Sequence, residues 1–97
     1  MSHYVILVNF TDRGIKNVKD SPKRAEAFRS AVEKKGGKVS DLYYTLGKHD
    51  IVAIVEAPND EAIASVLYVT GSLGNVRTKT LKAFPMSEAA KIIENLS

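Results

Sequence analysis

The sequence predicts an α+β domain built on one four-stranded antiparallel sheet with helices on a single face. Three observations lead there. Residues 3–10 and 51–55 are apolar at odd and even positions alike, the pattern of central strands covered on both sides. Residues 38–46 and 76–84 alternate instead, which is the pattern of edge strands. Helical periodicities separate these segments, so the order is strand, helix, strand, strand, helix, strand, with a further short helix at the end.

After the first strand, Thr11 or Asp12 offers a helix cap, and Ile15, Val18, Ala25, Phe28 and Val32 recur at helical spacing. Pro22 disfavours α geometry at Ser21 but suits the first position of a new helix. The expectation is a short helix, a break at residues 20–22, and a main helix capped by Ser21 and ended by Gly36-Gly37. In the second strand, Leu42, Tyr44 and Leu46 share one face, and Val39, Asp41, Tyr43 and Thr45 the other. Gly47 can take a positive φ and Asp50 can bond its own turn, so residues 47–50 predict a tight β-hairpin into the run Ile51, Val52, Ala53, Ile54, Val55. Pro58, Asn59, Asp60 and Glu61 then supply a cap and an acidic first turn for a helix whose stripe is Ile63, Val66, Leu67 and Thr70, ended by Gly71. Residues 76–84 form the second edge, Pro85 stops it, and Ser87 caps a last helix carrying Ala89, Ile92, Ile93 and Leu96 on one side. Hairpin linkage of the middle strands with right-handed crossovers elsewhere gives a ferredoxin-like βαββαβ sheet in the order 4-1-3-2. That order puts the two doubly apolar strands at the centre. Helices cover one face only, so the second apolar face is bare in a monomer, and the expectation is a homodimer or higher oligomer with its sheets packed face to face around a cavity.

At 97 residues the chain reads as a single domain, residues 1–97, in which roughly 60 to 68% of the unfolded surface is buried. A composition of 44% apolar and 26% charged residues is that of a globular protein. The absence of cysteine excludes disulfides, thiolate metal sites and cysteine nucleophiles. No apolar run approaches the ~20 residues of a membrane span, and residues 1–4 lack the basic start of a signal peptide, so the expected setting is the cytoplasm, with no membrane partner. The net charge of +3 is concentrated between Arg13 and Lys38, where nine basic residues face three acids. Phe28 is the only aromatic there, so the stretch reads as a solvated helix surface and no nucleic-acid partner is expected.

The candidate ligand-binding residues are His49, Asp50, Gly47, Asn9, Tyr43 and Arg77. Imidazole is the side-chain type that suits proton transfer at neutral pH, and His49, beside Asp50, suits a general base or a ligand donor; the competing reading is a half-exposed turn histidine, because adjacent strand residues point to opposite faces. Asn9, a polar residue at the end of a central strand, serves either a ligand or the neighbouring turn. Tyr43 and Tyr44 divide between core and partner face, and a phenol facing a cavity can donate to a bound oxygen. Arg77 suits a carboxylate or phosphate, or is an ordinary exposed edge-strand arginine. No phosphate loop, nucleophile elbow or metal-spaced cluster appears, so no cofactor or metal is expected and no catalytic residue is assigned.

Residues 9–16, 20–24, 36–38, 47–50 and 71–78, taken in order, resemble the GYD-domain family. The family is named for Gly-x-Tyr-Asp, and here His49 stands where the tyrosine is expected. The resemblance implies a dimeric α/β barrel of the ferredoxin-like class and transfers no catalytic residue. The second half, through residues 47–52, Glu56-Ala57 and residues 74–78, is also similar to the effector-binding domain of the Lrp/AsnC transcription regulators. In that family the equivalent turn lies near an amino-acid site between subunits; no helix-turn-helix precedes it here, so a DNA-binding role is not expected to follow. Two functions are consistent with these readings: a homodimeric small-molecule-binding domain with a sensing or regulatory role, and a small cofactor-free enzyme of oxygenase or isomerase type using the cavity between the sheets. Binding is the more economical, because catalysis requires convergent titratable groups that the sequence does not establish.

Overall fold

The computed structural model describes residues 1–96. Its elements are β1 (Ser2–Phe10), α1 (Asp12–Lys16), a 3-10 turn (Val18–Asp20), α2 (Ser21–Lys34), β2 (Lys38–Tyr44), β3 (Ile51–Ala57), α3 (Asp60–Ser72), β4 (Val76–Ala83) and α4 (Met86–Glu94). The four strands form one antiparallel sheet in the order β2-β3-β1-β4, which is the expected order read from the other edge.

Alternation along β1 and β3 divides the sheet into two faces. Tyr4, Ile6, Val8, Ile51, Ala53, Val55 and Ala57 point under the helices, where they join Val32 of α2 and Ile63 and Val66 of α3 in a buried core. Ile6, Val32 and Val55 are the largest side chains removed from water, each worth about 1.5–3 kcal/mol of transfer free energy. Val5, Leu7, Val52 and Ile54 point to the opposite face, which no helix covers and where they are only half-buried. Leu81 and Tyr43 extend that apolar surface from the two edges, 54% and 59% exposed. The final helix α4 has no buried residue, and its Ile92 and Ile93 lie in solvent. Near its start, Glu88 approaches His3 at 3.6 Å, and His3 also meets Glu56 at 3.4 Å.

Several local expectations need correction. Ser21 does not cap α2: the residue before it is Asp20, and the buried Ser21 hydroxyl is hydrogen-bonded to the Tyr44 hydroxyl at 2.7 Å. Ser87 lies inside α4, which starts after Pro85 with no side-chain cap. The break expected at residues 20–22 falls at Asn17 instead, and Ser21 is already α-helical before Pro22; Ile15 and Val18 are exposed, because the apolar stripe ends with the first helix. α3 runs past Gly71 to Ser72. In β2 the pairing jumps from Val39↔Val55 to Asp41↔Ile54, so Ser40 is bulged. The bulge moves Val39 to the face of Leu42 and Tyr44, and Val39 is core. Leu46 has left the strand and is fully exposed. Thr11 does cap α1, its hydroxyl accepting from Gly14 N, and Asn59 caps α3 by accepting from Ala62 N.

Polar contacts at both ends of the sheet fasten the helices to it. α1 lies against the start of β4, where Thr11 N donates to Asn75 O at 3.0 Å and the Thr11 hydroxyl donates to Gly74 O at 2.6 Å. A Cβ on Gly14 would stand 1.9 Å from Asn75 O. Gly14→Ala should therefore destabilise the domain by about 2–3 kcal/mol in chemical denaturation; an unchanged midpoint would contradict this packing. At the other end of the sheet, Tyr4 donates to Asp60 Oδ1 at 2.5 Å, and Lys82, paired with Tyr4 across the β-ladder, reaches the same carboxylate at 3.0 and 3.2 Å. The Tyr4 bond, then that from Lys82, holds Asp60 below its ordinary value of 3.8. Burial, then the Asp60 bond, pushes Tyr4 above 10.0, and the Asp60 bond raises Lys82 above 10.5. A lowered carboxylate pKa contributes stability that is present above the unfolded value and lost as pH falls through the folded one. Raised phenol and ammonium pKa values contribute stability that is present below the unfolded values and lost as pH rises through the folded ones. Unfolding free energy should accordingly fall below pH 3.8 and above pH 10.0. Asp60→Asn should flatten the acid limb, and an acid limb identical to that of the parent protein would refute the linkage.

Candidate functional site

At the end of the open face where β1 finishes, the loop of residues 45–50 passes beside Asn9. This is a six-position connection and not the tight hairpin expected from Gly47 and Asp50; Gly47 does adopt φ +104°, a region closed to most side chains. The loop is shaped by backbone and side-chain bonds together. Thr45 N donates to Asp50 O at 2.9 Å, the Thr45 hydroxyl donates to His49 O at 2.6 Å, and Asp50 N donates to Val8 O at 2.9 Å. The Asp50 carboxylate accepts from Phe10 N at 2.8 Å, so it pins the loop to β1 and does not orient His49.

Asn9 fixes the histidine instead. Its Nδ2 donates to Lys48 O at 2.7 Å, and its Oδ1 lies 3.0 Å from His49 Nδ1. A carbonyl oxygen only accepts, so the amide nitrogen must face Lys48 and the amide oxygen must face the ring. His49 Nδ1 is then the donor, and the neutral imidazole carries its lone pair on Nε2. Among the described residues, Nε2 has no hydrogen-bond partner. His49 is half-buried, so the ring is held by the protein on one edge and accessible on the other.

Arg77 is opposite Asn9 in the β1–β4 register and exposed on the same face. Lys79, opposite Leu7, stands one position inward, and the row continues through Leu7 and Val52 to Tyr43. Of the candidates read from the sequence, the fold thus gathers Asn9 and His49 by direct contact, sets Arg77 and Tyr43 on the same open face, and gives Gly47 and Asp50 the task of shaping the loop. Tyr44 went to the helix face, on Ser21. The sequence reading missed Thr45, whose hydroxyl bond to the His49 carbonyl needs a loop that doubles back, and Lys79, which stood out only as one of several edge-strand cations.

This arrangement offers one base with an available lone pair, two cations and an apolar floor. It suits the recognition of a small molecule bearing an anionic group and a hydrogen-bond donor. In its neutral form, His49 should appear in long-range ¹H–¹⁵N spectra protonated at Nδ1 and bare at Nε2. Asn9→Leu should abolish that preference, whereas a parent protein already protonated at Nε2 would overturn the assignment.

The GYD domain family model matches residues 4–93. The glutamine synthetase and cystathionine beta-lyase binding protein of Thermus thermophilus is 30% identical over 89 residues, which span 91% of this chain and 94% of that protein. A feast or famine regulatory protein from M. tuberculosis, solved with L-methionine, superposes with a TM-score of 0.67 at 19% identity, over 89% of this chain and 52% of that one. This chain thus spans about half the length of that regulator, and the likeness concerns the fold. TTHA0845 from Thermus thermophilus superposes with a TM-score of 0.56 at 26% identity, over 88% of this chain and 95% of that one. The regulator-like fold, noticed in the sequence over its second half, extends over nearly the whole domain. With a family model covering almost its full length, the chain belongs to the GYD domain family.

Proposed function

We propose that this protein is a homodimeric regulatory domain that binds a small metabolite at the end of its open sheet face. The observation that carries the reading is the Asn9–His49 pair, which leaves Nε2 of the ring without a partner among the described residues, at the end of an open face that also carries Arg77 opposite Asn9. In a face-to-face dimer, Leu7, Val52, Ile54 and Leu81 become an interior, and the His49 end of each sheet borders the cavity between them. The ligand class that fits is an α-amino acid: its carboxylate pairs with Arg77, its ammonium donates to Nε2, and its side chain lies on Leu7 and Val52. A solved neighbour of this fold holds L-methionine, which supports the class without fixing the member.

A second reading is favoured by a separate observation. The Thermus thermophilus relative is named as a binding protein of two enzymes, and here α4 leaves Ile92 and Ile93 50% and 64% exposed. A regulatory domain that senses an amino acid and docks on an enzyme would use both surfaces. The cofactor-free enzyme has less support, since Asp50 is engaged by Phe10 N and leaves His49 as a single unassisted base.

Native mass spectrometry should show a dimer, and Leu7→Glu should dissociate it; a monomer at micromolar concentration would refute the face-to-face assembly. In thermal-shift measurements with a panel of L-amino acids, at least one should raise Tm. His49→Ala and Arg77→Ala should each remove that shift with the dimer intact. If no amino acid moves Tm while the dimer persists, the ligand class is wrong.

A further inference from the structure

On the other side of the sheet, α2 and α3 do not close completely over the core. Between them lies a cavity of about 190 Å³, open to solvent along one side. Its floor is Ile6, Val8, Ile51 and Ala53, and its exposed rim includes Ala27, Val69 and Leu73. Protein interiors hold few voids larger than a water molecule, and an apolar cavity of ~150 Å³ is large enough to bind benzene. This one matches an alkyl chain or ring of about six carbons.

The mouth is not uniformly apolar. Arg24 and Asn75 line the cavity and also an adjoining surface hollow that contains Arg13, Asn17 and Asp20. Arg24 donates from one terminal nitrogen to Asn17 O at 3.2 Å and from the other to Gly14 O at 3.3 Å. These two bonds use two of its five N–H groups, hold the guanidinium against α1 while the side chain lines both the cavity and the hollow, and leave donors for a further acceptor. Asp20 is the single carboxylate in the hollow, against two guanidinium groups.

From this juxtaposition we infer that the cleft between α2 and α3 binds a small monocarboxylic acid with an apolar tail of about six carbons, the tail against Phe28, Val69 and Leu73 and the carboxylate on Arg24. The site is separated from the His49 region by the thickness of the sheet. It takes a ligand without an ammonium group, since among the described residues no carboxylate lines the cleft, Asp20 lying in the adjoining hollow.

The test is a methyl NMR titration of the intact protein with hexanoate, 1-hexanol and hexylamine. Hexanoate should saturably shift the methyls of Ile6, Val66, Val69 and Leu73, binding about tenfold more tightly than hexanol, with hexylamine weaker still. Arg24→Gln should bring hexanoate to the affinity of hexanol. Ala27→Phe, which places a ring across the exposed rim without touching the floor, should abolish binding of both. Absence of saturable shifts into the millimolar range, or equal affinity for hexanoate and hexanol in the parent protein, would overturn the proposal. Shifts confined to Leu7, Val52 and Leu81 would also overturn it, by assigning the acid to the open face. If the Val69 and Leu73 methyls move with protein concentration alone, a second copy covers the cleft and the proposal fails, whatever the outcome at His49.

Discussion

Two strands at the centre of this sheet, β1 and β3, carry apolar side chains on both faces, while the chain has helices for only one of them. Most of the architecture depends on that imbalance. On the helix face the demand is met by Val32, Ile63 and Val66, with Tyr4, Asp60 and Lys82 fastening one end and the close approach of Gly14 to Asn75 the other. On the open face Val5, Leu7, Val52 and Ile54 are left half-buried, flanked by Leu81 and Tyr43 and with no helix over them. A surface of that kind favours association by the same transfer free energy that drives folding. The open face therefore connects the stability of the domain to its proposed role.

The loop after β2 belongs to the same logic. A single amide, Asn9, reads a carbonyl on one side and an imidazole on the other, and because each end of an amide has a fixed polarity the histidine's proton is assigned by the backbone of Lys48. Asp50, which the sequence suggested as the partner of His49, is held by Phe10 N. The carboxylate sets where the loop is and the amide sets what the ring can do.

The strand order was legible because doubly apolar strands must be central and alternating ones must be edges, a constraint needing only local pattern. The caps at Thr11 and Asn59 were legible for the same reason, whereas the break expected at residues 20–22 falls at Asn17, and Ser21 is helical despite the proline that follows it. What failed depended on atoms brought from elsewhere. Ser21 was misread as a cap because its hydroxyl serves Tyr44, and Val39 was assigned to the wrong face because a bulge has no period. Asn9 was recognised as unexplained, but its two partners lie about forty positions away in the chain, beyond any local rule. The cleft between α2 and α3 left no signal in the sequence. It arises from the spacing of two helices whose facing residues, Ala25 and Ala31 among them, read as ordinary helix formers.

The irregularity at Ser40 has a bearing on growth of the sheet itself. β2 and β4 both end the ladder with unpaired backbone groups, and such edges invite another strand to add on and continue indefinitely. On β2 the bulge interrupts the hydrogen-bonding row near its start, and on β4 Arg77, Lys79 and Lys82 put like charges where an added copy of β4 would lie. Lateral extension is discouraged at both margins. Association through the open face, unlike strand addition, can close at a finite number of copies, so a domain of this shape can expose apolar surface to a partner without becoming the seed of a fibre.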